Sequence, residues 1–131
     1  MRWSVAVLVF SLATTGCGAS RTHAFVSGPY DLGEHALFAR VSEAARRGGY
    51  SVTSEDEQAG RLVVTSHTLA RGAAANFVVQ LYRPGWVRVV AEGPGVEQRG
   101  DRYAMPGALR DELAHFSIGL SDSLRVGAGV E

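Results

Sequence analysis

The sequence predicts a two-layer α+β domain, in which an antiparallel sheet of three to four strands carries two helices on one face, in the order α-β-β-β-β-α. Two observations carry that expectation. Leu109, Leu113, Phe116, Leu120 and Leu124 fall within roughly 80° of arc at helical spacing, the strongest periodicity in the chain. Between residues 76 and 92, Phe77, Val79 and Leu81, then Val87, Val89 and Ala91, alternate with other residues, as half-buried strands do.

The first helix is expected over about 32 to 47. Asp31 and Glu34 have capping-box spacing, a short oxygen-bearing side chain and an acid three residues on, each able to satisfy the other's free backbone N–H. Leu37, Val41, Ala44, Ala45 and Gly48 share a narrow arc flanked by Phe38. Arg46 and Arg47 suit the negative end of the dipole, and Gly48-Gly49 stop the helix. Tyr50-Ser51-Val52-Thr53 and Leu62-Val63-Val64-Thr65 read as two strands joined by an acidic turn through Glu55-Asp56-Glu57.

Asn76 to Tyr82 and Trp86 to Glu92 make the second hairpin. A shared apolar face requires pairing Leu81 with Val87, Val79 with Val89 and Phe77 with Ala91, which leaves the three-residue loop Arg83-Pro84-Gly85. Pro84 fits poorly at the second turn position of a type I turn. After a break at Gly93-Pro94-Gly95 and a polar stretch through Arg102, Pro106 is suited to open a helix over about 106 to 125. The domain is thus expected over 31–126, with 127–131 as a frayed tail.

Composition narrows the function classes. The chain has 131 residues, one Cys, and 13 basic residues, all Arg, against 13 acidic ones. That is one domain without a disulfide, a Cys-rich metal finger or a thiol pair. Zero formal charge, with no basic run longer than Arg46-Arg47, argues against nucleic-acid binding.

The N-terminus reads as an address. Arg2 precedes an apolar stretch from Trp3 to Ala13, too short for a bilayer span, followed by small residues. Thr14-Thr15-Gly16-Cys17 resembles the lipobox of bacterial lipoproteins, in which the Cys is acylated and becomes the mature first residue. It departs from that pattern at Thr14, where Leu is usual. The resemblance implies a signal peptide over 1–16, a lipidated Cys17 and a stalk over 17–30. Gly18 after the Cys, rather than the Asp that retains such proteins in the inner membrane of enteric bacteria, favours the outer membrane, facing the periplasm. The alternative is cleavage after Ala19 and release as a secreted or periplasmic protein. Ala24, Phe25 and Val26 form either part of the stalk or a short edge strand.

No catalytic constellation is visible. His23, His35, His67 and His115 show no metal-ligand spacing, no nucleophile elbow occurs, and the glycines at 93, 95 and 100 lack a phosphate loop's context. Glu55-Asp56-Glu57 lacks the oxygen count Ca²⁺ takes and reads as a solvated turn. No metal and no cofactor are implied. The sheet face away from the helices is expected to carry Val78, Gln80 and Tyr82 beside Trp86, Arg88 and Val90. Tyr82 and Trp86, backed by Val78 and Val90 and flanked by Arg88, form a candidate partner surface, as does Ile118, which points away from the helix's apolar stripe. The competing expectation is that neighbouring segments cover them.

The run of amphipathic helix, Gly49-Tyr50-x-Val52, acid-bearing turn with Asp56 and Gly60, Leu-Val-Val strand, two further strands and final helix resembles small envelope lipoproteins with helix-grip-type domains. Accessory lipoproteins of the outer-membrane β-barrel assembly machinery are among them, with several uncharacterised families. The resemblance covers roughly 31 to 125, implies a fold and a compartment, and transfers no functional residue. The expected function is a non-enzymatic, lipid-anchored binding or assembly-accessory module for another envelope protein or a cell-wall component. The alternatives are a small-molecule carrier or enzyme with a pocket between helices and sheet, and a purely structural module.

Overall fold

The alternation between residues 76 and 92 decides the centre of the sheet. A computed structural model describes residues 24–99 and 102–129. In it β1 (Phe25–Ser27), α1 (Glu34–Arg47), β2 (Val52–Asp56), β3 (Arg61–Ala70), β4 (Ala73–Tyr82), β5 (Trp86–Glu92), β6 (Glu97–Arg99), β7 (Arg102–Ala104) and α2 (Gly107–Gly129) follow in order. The pairs Leu81–Val87, Val79–Val89 and Phe77–Ala91 stand opposite one another, as the shared apolar face requires. The main sheet is antiparallel, ordered β1-β5-β4-β3-β2, with β6 and β7 as a separate two-stranded ladder. The fold is therefore α+β, with five strands in the main sheet.

The additional strand comes from the segment read as stalk or edge strand. Phe25, Val26 and Ser27 pair with Val89, Arg88 and Val87, so the domain begins before residue 31. β3 and β4 run further than their apolar alternation, to a tight turn at Arg71-Gly72. Their extensions, Ser66-His67-Thr68 and Ala73-Ala74-Ala75, carry no strand pattern. β6 and the first residue of β7 lie in the stretch read as merely polar, and three residues each is too short for a period to show.

Both helices cover one face. Leu37, Phe38, Val41 and Ala45 of α1, and Leu109, Leu113, Phe116, Leu120 and Leu124 of α2, share one core with Leu62, Val64, Phe77, Val79, Val87 and Val89. α1 begins differently from expectation. Gly33 is its N-cap and no side chain caps it, because Asp31 lies two residues too early to act as the capping oxygen. Its C-terminus closes as a Schellman motif: Tyr50 N–H donates to Ala45 O at 3.1 Å and Gly49 N–H to Arg46 O at 3.0 Å, with Gly49 at φ +89°. α2 starts one residue after Pro106, whose carbonyl accepts from Arg110 N–H at 3.0 Å, and runs to Gly129, through the start of the tail expected to fray.

The β4–β5 loop has the expected three residues, since Tyr82 pairs with Trp86. Arg83 and Gly85 have φ of +49° and +89°, so the type I turn that Pro84 would have disturbed does not form. Gly85 is buried where Tyr30 N–H donates to its carbonyl at 2.7 Å, and a Cβ there would sit 2.6 Å from Tyr30 O. Gly85→Ala is expected to cost about 2 kcal/mol or more, since backbone strain and a backbone clash coincide. A urea midpoint within error of wild type would refute that account.

Candidate functional site

The residues singled out as a partner surface do not form one surface. Tyr82, Trp86 and Arg88 lie half-buried on the sheet face away from the helices. The two rings are 6.5 Å apart, and it is Arg83, 5.9 Å over the Tyr82 ring, that supplies the cation beside them. Trp86 is approached by the Gly28 backbone, which leaves it partly covered. Val90 is no part of an exposed patch. It is 5% exposed and stacks with Val63 and Val78 across three strands, with Ala24 packed against them. Adjacent β-branched side chains in register shield one another, which alternation along one strand does not reveal. Ile118 is exposed as expected, at 55%, but projects from α2 in the opposite layer. Cys17, the signal segment and His23 lie outside the described residues.

A polar node that sequence reasoning missed sits between α2 and β3. The β3–β4 register shifts between Thr65 and Leu69, and the bulge turns backbone N–H groups away from the ladder. Glu112 accepts from His67 N–H and Thr68 N–H, both at 2.8 Å, and from the Tyr50 hydroxyl at 2.8 Å. Ser66 Oγ completes the bulge, donating to Thr68 O at 2.8 Å and accepting from Ala75 N–H at 3.0 Å. Tyr50 stacks on His67 with ring centroids 4.3 Å apart and meets Phe116 edge-on at 4.8 Å.

Burial pushes the Glu112 carboxyl up, but the hydrogen bonds from His67, Thr68 and Tyr50 outweigh it and hold the group below the usual range. Burial, then the hydrogen bond and the charge of Glu112, push the Tyr50 hydroxyl up. Both Glu112 oxygens are thus engaged within the fold, which makes the node a clasp between layers. The one sequence signal was an acid near the start of a helix, which the macrodipole explains equally well.

The acidic segment is likewise engaged. Glu55 accepts from Arg46 and from Ser42, which hold its carboxyl below the usual range, while Glu57 meets His35 and Asp56 accepts from Ala59 N–H at 3.1 Å. Glu55 and Asp56 end β2, opposite Leu62 and Arg61 of β3, and Glu57 opens the turn, all three acids being exposed. Among the described residues no three His, Cys, Asp or Glu side chains converge as a metal site would require.

The space between helices and sheet is filled: Leu37, Val41, Leu62, Val64, Phe77, Val79, Val87, Leu109, Leu113 and Leu124 are all below 2% exposure. Concave surface lies instead on either side of α2. A groove of about 370 Å³ runs along the seam with the end of α1, where Ala44, Gly48 and Gly119 leave room above Tyr50 and Phe116, with Arg47 and His115 in its walls. A second cleft, of about 170 Å³, lies between α2 and β1 and is lined in part by Val26, Ser117, Ile118 and Arg125. Below it the Tyr30 hydroxyl lies 2.7 Å from Ser27 Oγ and 3.1 Å from Ser121 Oγ, tying the strand to the helix.

Among the described residues no helix is long and apolar enough to cross a membrane. Compared with known proteins, the chain matches no protein-family model and no curated protein.

Proposed function

We propose that this chain is a non-enzymatic protein of the bacterial envelope, anchored by lipid at Cys17 to the outer membrane and facing the periplasm. Its domain serves as a binding or assembly-accessory module for another envelope protein or a cell-wall component. The observation that carries the reading is the position of the chain's single Cys, at the end of an apolar leader and directly after Thr14-Thr15-Gly16. The likeness of residues 31–125 to helix-grip-type lipoproteins supports it, as does a domain whose concave surfaces are shallow and open outward.

Acylation energetics make the reading testable. Each buried methylene contributes about 0.8 kcal/mol, so two or more chains hold a protein on a membrane where one binds marginally. Cys17→Ala is expected to abolish labelling by radioactive palmitate and to move the protein from the membrane fraction to the soluble one. Continued labelling of the variant, or an unlabelled wild type, refutes the anchor.

A second reading, carriage of a small molecule, is supported by the seam groove, whose aromatic floor and flanking Arg47 and His115 suit an anionic aromatic ligand. It is the weaker reading, because Arg47 already pairs with Glu43 at 2.8 Å.

A further inference from the structure

β1 closes one edge of the main sheet and covers only Val87 to Val89 of β5. Among the described residues no strand lies on its other side, so the N–H and C=O groups not directed at β5 face outward. Natural edges are commonly blunted by charge, yet β1 reads Phe25-Val26-Ser27. Of the three large hydrophobic side chains that stand exposed among the described residues, Ile118 at 55% lines the cleft beside β1, while Val26 at 49%, opposite Arg88, lies on the other face of the strand.

Two polar features share the wall. Ser117 is 8% exposed, and its Oγ is buried with no hydrogen-bond partner, leaving a donor and acceptor unused. Arg125 is the single charged residue in the lining, held only by an exposed contact to Asp122 at 3.2 Å. Ile118 and Arg125 are seven residues apart on α2, about 10 Å along its axis, a distance that an extended chain covers in about three residues.

We infer that this cleft docks an extended peptide segment of another envelope protein, added to the sheet at the free edge of β1. One of its apolar side chains enters the recess beside Ile118, and an acidic group meets Arg125. Strand addition draws affinity from main-chain hydrogen bonds and specificity from alternate side chains. The Tyr30 contacts to Ser27 and Ser121 hold the two walls in place before binding, which lowers the ordering cost. A peptide is favoured over a second copy of the chain because a two-fold contact sets the same lining against itself, and the lining holds no acid to meet Arg125. The inference deepens the proposed function and rests on reading the domain as a binding module.

The test uses the full chain in detergent micelles against immobilised decapeptides that alternate valine and threonine and carry glutamate, alanine or arginine near one end. Wild type is expected to favour the glutamate peptides, Arg125→Glu to favour the arginine peptides instead, and Ile118→Asp to lose at least tenfold in binding to both. Both substituted side chains are exposed, and unchanged thermal melts confirm folding. Bound glutamate peptide is expected to slow hydrogen exchange in Phe25–Ser27. Equal binding to all three peptides, no reversal with Arg125→Glu, protection confined to the helix seam, or self-association through β1 that excludes peptide would each overturn the inference. If palmitate labelling of Cys17 persists alongside such a result, only the site is lost. An unlabelled wild type removes the anchored-module reading itself.

Discussion

Phe77→Ala is expected to lower stability by about 3–5 kcal/mol, the range for deleting a buried aromatic ring from a packed core. Phe77 is fully buried at the middle of β4, opposite Val64 on β3 and Ala91 on β5. Its ring lies 5.4 Å from that of Phe116 and 6.1 Å from that of Tyr50, so it joins the sheet to α2 and to the chain after α1. Those aromatic pairs add about 0.5–1.5 kcal/mol each beyond area burial. Since a domain of this kind has only about 5–15 kcal/mol in total, that is a large share of its stability. Leu69→Ala is the control. Leu69 is the most exposed large hydrophobic among the described residues at 64%, and its truncation should change stability by about 0.5 kcal/mol or less. Urea unfolding with equal slopes reads both. Similar midpoints for the two variants would show that the interlayer is not the core described above.

Glu112→Gln should cost about 1–3 kcal/mol at pH 7, with a signature in pH that a packing defect lacks. The amide offers one acceptor oxygen where the carboxylate offers two, so the bulge at His67 and Thr68 loses the partner of one N–H. The sign follows from linkage. The folded-state pKa of Glu112 is depressed, so its stabilisation is fully present above the unfolded carboxyl pKa, near 4.3, and is lost as pH falls through the folded value. Wild type and variant are therefore expected to converge in denaturant midpoint between pH 5 and the acid limit of the folded state. A constant gap across that window would exclude the charged hydrogen bonds as its origin. Tyr50 works in the other direction. Its raised pKa makes its contribution full below the unfolded value near 10 and lost as pH rises, because the phenolate would be desolvated, would lose the hydrogen bond to Glu112 and would face its carboxylate.

The elements legible in the sequence were those with a full period of apolar side chains. The α2 stripe runs four turns and every one of its five members is buried. The β4–β5 register followed from a single requirement, that two alternating sets share a face. β1, β6 and β7 were not legible as strands because three residues hold no complete alternation, and what makes β1 a strand is pairing with β5, a partner 60 residues away. The capping box at Asp31 misled for a local reason: its spacing fits, but the helix starts at Glu34, so the oxygen is out of reach.

By itself the sequence determined the α+β class, the two helix stripes, and the central hairpin with its register. These are properties of side-chain periodicity and composition, written within a dozen or so neighbouring residues. Tertiary structure alone decided that Val90 is buried, that Ile118 and the Tyr82–Trp86 pair lie in different layers, and that Glu112 clasps a bulge 44 residues earlier. The same holds for the cleft between β1 and α2. Each depends on which elements come to lie side by side, and that is settled by packing between layers rather than by any local pattern.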